Sequence, residues 1–518
     1  MAHGHHDHPP AIDPGDATPP GDKATPGAMV LLGFGAVAIL VALAIMLISG
    51  QYEAFAFSYI TAYAYVLSLG LGCLFFVLIT TLFRAGWCVV LRRPVEHVAA
   101  SFPILAVLAI PIVLFVVAGD GWIYPWAQPM DQLKERYYAY HYAHAAHGDE
   151  HGAGHGEHND GDGHHDADHA KDEPQAAADP VNIVLVADNA AESHDDDHAG
   201  HDHAAHADGD HAAPATYGHG DAADDPPWAP AYDLVEKKLA YLNVPFFLIR
   251  CVFYFVVWSV LGGLYWRWSV RQDASSDPEL TLKREWWAPI SIVLFAVTST
   301  LAAVDIVMSL DPVFFSTMWG VYYFAGGMLG TVGMIILITM ALQAFGRLTL
   351  VSREHYHDLG KLLFAFVFFW GYIAFSQYML IWYGNIPEET MWFEHHGWTT
   401  VPGHVNGWSY VGLFILAGHF VIPFAFLLSR WVKRNAMLLM IAAVWLMFMH
   451  YVDVWWIVMP MLHNATPLGN PVALAMQVCL PLGMLALLLG VALLKARQSA
   501  WVPLGDPRLP ESARFENY

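Results

Sequence analysis

Charge is scarce in this chain. Asp, Glu, Lys and Arg make up 14% of its 518 residues, against 56% hydrophobic residues. A soluble domain carries about a quarter charged residues, so that class is excluded. Cysteine is scarcer still: Cys73, Cys88, Cys251 and Cys479 form no CxxC, no CxxCH and no ferredoxin-like run, which excludes covalent haem c and iron–sulfur clusters from this chain. Haem b needs only two facing histidines and escapes that argument. Only His419 and His450 lie well inside apolar segments, and counting residues puts them at different depths. No basic n-region precedes the first apolar run, so no cleavable signal peptide is predicted and the first helix stays. Metal-binding pairs such as HxxxD or HExxH are missing from the apolar segments, the nearest being His450 with Asp453.

What is present is apolar sequence in long runs. About 20 apolar residues cross a bilayer core as a helix. Ten such windows occur, at 29–49, 57–82, 98–118, 244–266, 288–309, 316–344, 360–383, 407–429, 436–459 and 472–495. Basic residues collect after every second one: Arg84, Arg92 and Arg93; Arg267, Arg271, Lys283 and Arg284; Arg347, Arg353 and Lys361; Arg430, Lys433 and Arg434; Lys495, Arg497, Arg508 and Arg514. That alternation predicts an even number of spans with both termini cytoplasmic. The expected order is an unstructured tail to 28, three spans to 118, an outside loop over 119–238, seven spans to 496 and a C-terminal tail.

The net charge of −23 is largely local. Residues 139–235 hold 16 of the 29 histidines among many acidic side chains, with almost nothing apolar except "VNIVLVAD". Such composition cannot build a core and predicts disorder. It suits either a solvated acidic loop or weak capture of Zn²⁺ or Ni²⁺ by imidazole.

Ionisable residues within membrane helices are costly and mark function. Alternating orientation places Arg250, Asp305, Asp311, Tyr322, Gln377, Tyr378, Glu388, Glu389, His450 and Asp453 in the outer half, with His419 near mid-membrane and a much drier inner half. His450 and Asp453 are three apart, hence on one helix face. Each of these residues has a structural explanation as a cap, an internal pair or an interfacial aromatic. Together they suit a proton path or a quinone head-group pocket.

Four stretches carry a family resemblance: "LAYLNVPFFLIR" (239–250), "DIVMSLDPVFFSTMWGVYYFAGG" (305–327), "HDLGKLLFAFVFFWGYIAFSQYMLIWYGNIPEET" (357–390) and "HYVDVWWIVMP" (450–460). The chain resembles the quinone-type membrane subunits of alternative complex III, in particular the ActF type, relatives of the NrfD and polysulfide-reductase membrane subunits. The resemblance implies an all-α membrane fold of ten helices, two four-helix bundles plus two more. It implies a respiratory assembly that oxidises quinol and passes electrons to cytochrome c or an oxidase. The partners would be a paralogous ten-helix subunit, iron–sulfur and multihaem cytochrome c subunits, and a terminal oxidase. Haem c and iron–sulfur clusters would reside only in those partners, with quinone or quinol the one cofactor this chain itself could meet. Two departures stand out: Ile306 where the family carries Trp, and "EHHGW" where it tends to carry Arg.

The expectation is a non-catalytic subunit in a bacterial cytoplasmic membrane, with the His-rich loop periplasmic. It would contribute a proton path, with Glu388 and Glu389 releasing protons at the mouth of the seventh helix. A secondary transporter for a metal or other cation is the alternative, motivated by ten helices and the loop.

Overall fold

A computed structural model of the chain describes residues 12–118, 121, 123–128, 229–398, 407–462 and 465–516. The described residues are helical, with no strand among them. Ten helices are long and apolar enough to cross a membrane: α1 (Gly21–Ser49), α2 (Tyr52–Leu82), α3 (Val89–Ala118), α4 (Val244–Ser275), α5 (Pro278–Leu310), α6 (Trp319–Ala344), α7 (Arg353–Gly384), α8 (Gly407–Leu428), α9 (Ala436–Met461) and α10 (Pro471–Ala496). The chain is an all-α, multi-pass membrane protein.

Local chemistry sets the helix ends. Asn243, Asp277, Asn435 and Asn470 each cap the N-terminus of the helix that follows, their side-chain oxygens accepting amide protons of the first turn. At the far end of α7, Asn385 adopts φ +47° and stops the helix, and Pro387 starts a short one, Pro387–His395.

Helices α2 to α5 pack as one four-helix bundle and α6 to α9 as a second. They meet through α2 against α6 and α9, and through α5 against α6, while α1 and α10 pair with each other and lean on α2. Glycines permit the closest crossings. A Cβ on Gly262 would lie 2.0 Å from the Ala99 carbonyl, and one on Gly35 2.7 Å from that of Gly483.

Several spans start earlier or end later than hydropathy suggests. Most telling is α3, which begins at Val89 instead of 98, so Arg92 and Arg93 lie inside a helix and not in a loop. Charges that neutralise one another across helices escape a window that scores residues singly. The half of the bundles remote from Asp305 and Asp453, expected to be dry, contains them.

The segment expected as an unstructured tail is packed from residue 12 onward. Asp16 is fully buried, its carboxylate accepting from the amides of Leu348 and Thr349 at 2.7 and 2.8 Å. The edges of the long loop are packed too. Tyr124 donates to the Ile306 carbonyl (2.9 Å) and Trp126 to that of Ser309 (3.1 Å), while Lys238 reaches the carbonyls of Pro312 and Val313. Residues 129–228, with the His-rich tracts, and the N-terminal "HGHHDH" lie outside the described residues.

Candidate functional site

Helix α9 turns His450 and Asp453 into the second bundle, against α6 and α7. Both are buried. The Tyr322 hydroxyl, from the first turn of α6, donates to Asp453 Oδ1, and the Trp370 indole on α7 donates to Oδ2 at 3.1 Å. Both donors are neutral, and Asp453 has no cationic partner among the described residues.

One turn earlier, His450 Nε2 meets Ser68 Oγ of α2 at 2.8 Å. The Ser68 hydroxyl proton is directed to the Tyr65 carbonyl at 2.7 Å. His450 is therefore the donor at Nε2, and its Nδ1 presents a bare lone pair with no partner among the described residues. That nitrogen faces α6, where Gly326 and Gly330 leave room for the ring. A Cβ on Gly326 would lie 2.9 Å from Nδ1, and one on Gly330 2.8 Å from Cδ2. His419 completes the group. Its ring lies 4.1 Å from that of Trp370 and 6.4 Å from that of His450, and neither of its nitrogens has a hydrogen-bond partner among the described residues. The two histidines are thus neighbours. A π-helical turn, Leu416–Val421, carries His419. One extra residue per turn re-aims the side chain, which residue counting on a 3.6 period does not register.

The remaining candidates do not join this cluster. Asp305, in the last turns of α5, is held by Arg250 of α4 through two parallel bonds of 2.8 and 2.9 Å, and by the Tyr254 hydroxyl at 2.7 Å. The guanidinium also lies over the Tyr241 and Phe246 rings. Asp311 is a turn cap, accepting from the amides of Val313 and Phe314. Gln377 accepts from the Ser316 hydroxyl at 3.0 Å, and Tyr378 packs on Phe393 and Trp398. Glu388 and Glu389 occupy the first turn of Pro387–His395, where carboxylates complement the helix dipole. The Glu388 side chain lies outside the described residues.

Two features escaped the sequence. Trp370, Ser68, Tyr65 and Tyr254 serve the carboxylate and histidine sites without being ionisable at neutral pH. At the other end of the bundles sits a buried ionic network of three arginines and three carboxylates. Arg92 contacts Glu96 (2.9 Å) and Asp506 (2.6 Å), and Arg93 contacts Glu96 (3.2 Å) and Asp273 (2.7 Å). Arg284 bonds Asp506 at 3.1 Å. The "RRPVEH" spacing, i to i+3 and i+4, was a legible signal for part of it. Asp506 lies outside the spans. Burial alone would raise its carboxyl, but Arg92 and Arg284 override that and hold it well below the ordinary range.

His396, just past the short helix, stacks on Trp392 at 3.6 Å, and its two nitrogens face the carbonyls of Trp392 (2.6 Å) and Ile457 (3.2 Å). Burial lowers it to about 3 although both carbonyls pull the other way. It is therefore a neutral ring that ties the α7–α8 connection to α9.

Compared with known proteins, the chain matches no family model and no curated protein.

Proposed function

We propose that this chain is a non-catalytic membrane subunit of a quinol-oxidising respiratory complex of the alternative complex III type, and that its second bundle carries protons. The carrying observation is the group Tyr322, Asp453, Trp370, His450 and His419: a buried carboxylate bonded only by neutral donors, beside an imidazole with a bare Nδ1 and a second imidazole with no partner among the described residues. An intramembrane carboxylate fixed by an arginine acts as a strut, whereas one held only by neutral donors can take up and release a proton. His450 then takes up and releases a proton at Nδ1, while Ser68 of the other bundle, its own proton committed to the Tyr65 carbonyl, holds the Nε2–H in place.

Tight packing favours protons over a quinone ring at this place, because not even a methyl group fits at Gly326 or Gly330 without displacing His450. The respiratory assignment rests on the sequence resemblance. With it come a bacterial cytoplasmic membrane, cytoplasmic termini, and haem- and iron–sulfur-bearing partners beside a paralogous ten-helix subunit.

The test begins with mild-detergent purification through a tag on this chain, a haem spectrum and mass spectrometry of the partners. Asp453→Asn and His450→Gln are then compared with wild type in vesicles for quinol oxidation and proton release. The expectation is co-purifying c-type haem, and a lowered proton yield per electron in both variants. A colourless chain isolated alone, or unchanged proton yields, overturns the reading.

A further inference from the structure

At the end of the bundles opposite to Asp305 and Asp453, a cavity of about 500 Å³ opens between four helices. Its walls are apolar: Leu31 of α1, Val98 of α3, Leu342 of α6, and Leu489 and Leu493 of α10. Its rim carries two cations, Lys23 and Arg347. Neither forms an ion pair among the described residues. Arg347 spends one nitrogen on the Gly15 carbonyl at 2.5 Å, and its other guanidinium nitrogen atoms remain for a ligand.

The neighbouring carboxylates are already engaged. Asp13 accepts from the Gly15 amide at 2.6 Å, Asp16 from the amides of Leu348 and Thr349 and from the Thr349 hydroxyl, and Asp22 from Arg497. Two cations without an ion pair among the described residues, above an apolar groove at the edge of membrane-spanning helices, match one class of ligand. A zwitterionic lipid would gain little there, because its own ammonium would face Lys23 and Arg347.

We propose that this cavity binds an anionic phospholipid, with its phosphate on Lys23 and Arg347 and one acyl chain between α1, α3, α6 and α10. The lipid would cement α1 and α10 to the two bundles. The proposal is independent of the proton path and of any partner subunit.

Native mass spectrometry of the purified protein, with whatever subunits accompany it, tests this after delipidation and titration with phosphatidylglycerol or phosphatidylcholine. Wild type should retain phosphatidylglycerol selectively, and free glycerol phosphate should not displace it. K23Q with R347Q should weaken phosphatidylglycerol binding by about thirtyfold, since each cation near a membrane surface contributes roughly a factor of five. Gly27→Leu keeps both cations but fills the groove, since a Cβ there already lies 3.3 Å from Leu493. It should abolish retention as well. If the double variant does not fold, K23Q alone, a change to an exposed side chain, should cost about fivefold. Equal binding of the two lipids by wild type, displacement by glycerol phosphate, or unchanged binding in K23Q overturns the proposal.

Discussion

Asp305 and Asp453 occupy matching places, each near the C-terminal end of the fourth helix of its bundle, yet they are held in opposite ways. Asp305 lies in a two-pronged bond with Arg250, whereas Asp453 is bonded only by the neutral Tyr322 and Trp370. The first arrangement joins α4 to α5. The second leaves a buried carboxylate with neutral donors only, beside two imidazoles.

That difference predicts different mutational behaviour. Arg250→Ala strands the buried Asp305 charge and should destabilise the protein by about 3–5 kcal/mol. Replacing the pair together, Arg250→Met with Asp305→Leu, should cost much less. Thermal unfolding in detergent of the two singles and the double measures the coupling, and additive losses would contradict the strut role.

At the other carboxylate, Tyr322→Phe removes a donor to a buried acid and should cost about 1–3 kcal/mol by the same unfolding measurement. Asp453→Asn should fold comparably and lose proton transfer. A proton yield lowered by Tyr322→Phe but not by Asp453→Asn would assign the transfer to the phenol instead.

The ionic network at the opposite end makes a prediction about acid. Arg92 and Arg284 depress Asp506 in the folded state, so its contribution is fully present above the unfolded value of about 3.9 and fades as pH falls below it. Limited proteolysis should therefore release the segment after α10 progressively below about pH 4. In Asp506→Asn that release should occur already at pH 7, because two buried guanidinium groups lose a shared carboxylate.

His396 works over a different window. Its folded value of about 3 lies below the unfolded value of about 6.5, so between those limits the unfolded chain binds the extra proton and stability falls with acid. The slope should approach about 1.4 kcal/mol per pH unit. Hydrogen-exchange protection factors over 387–398, corrected for the intrinsic rate at each pH, should fall from pH 6 to 4 in wild type. In His396→Phe the protection should be nearly flat with pH, from a lower starting stability because one carbonyl loses the single N–H of the neutral ring.

The opening of the short helix at Pro387 shows how far sequence reading reached. "NIPEET" was legible as a helix end, and Asn385 with positive φ followed by Pro387 is that end. For the glutamates the structure adds their position in the first turn of a short helix, where acids complement the helix dipole. Depth along a helix grouped the polar residues. Depth is one coordinate, and residues sharing it lie in several separate places.

Length, hydropathy and the alternation of basic residues determined the ten spans, because crossing a bilayer is a demand each helix meets by itself. Periodicity likewise put His450 and Asp453 on one face. Which partner each buried group receives was decided by tertiary structure alone. Arg250 finds Asp305 across 55 residues, Tyr322 finds Asp453 across 131, and Arg92 finds Asp506 across 414. No local pattern encodes such pairings. They follow from how ten helices, each already formed, satisfy one another's polar groups where water cannot reach.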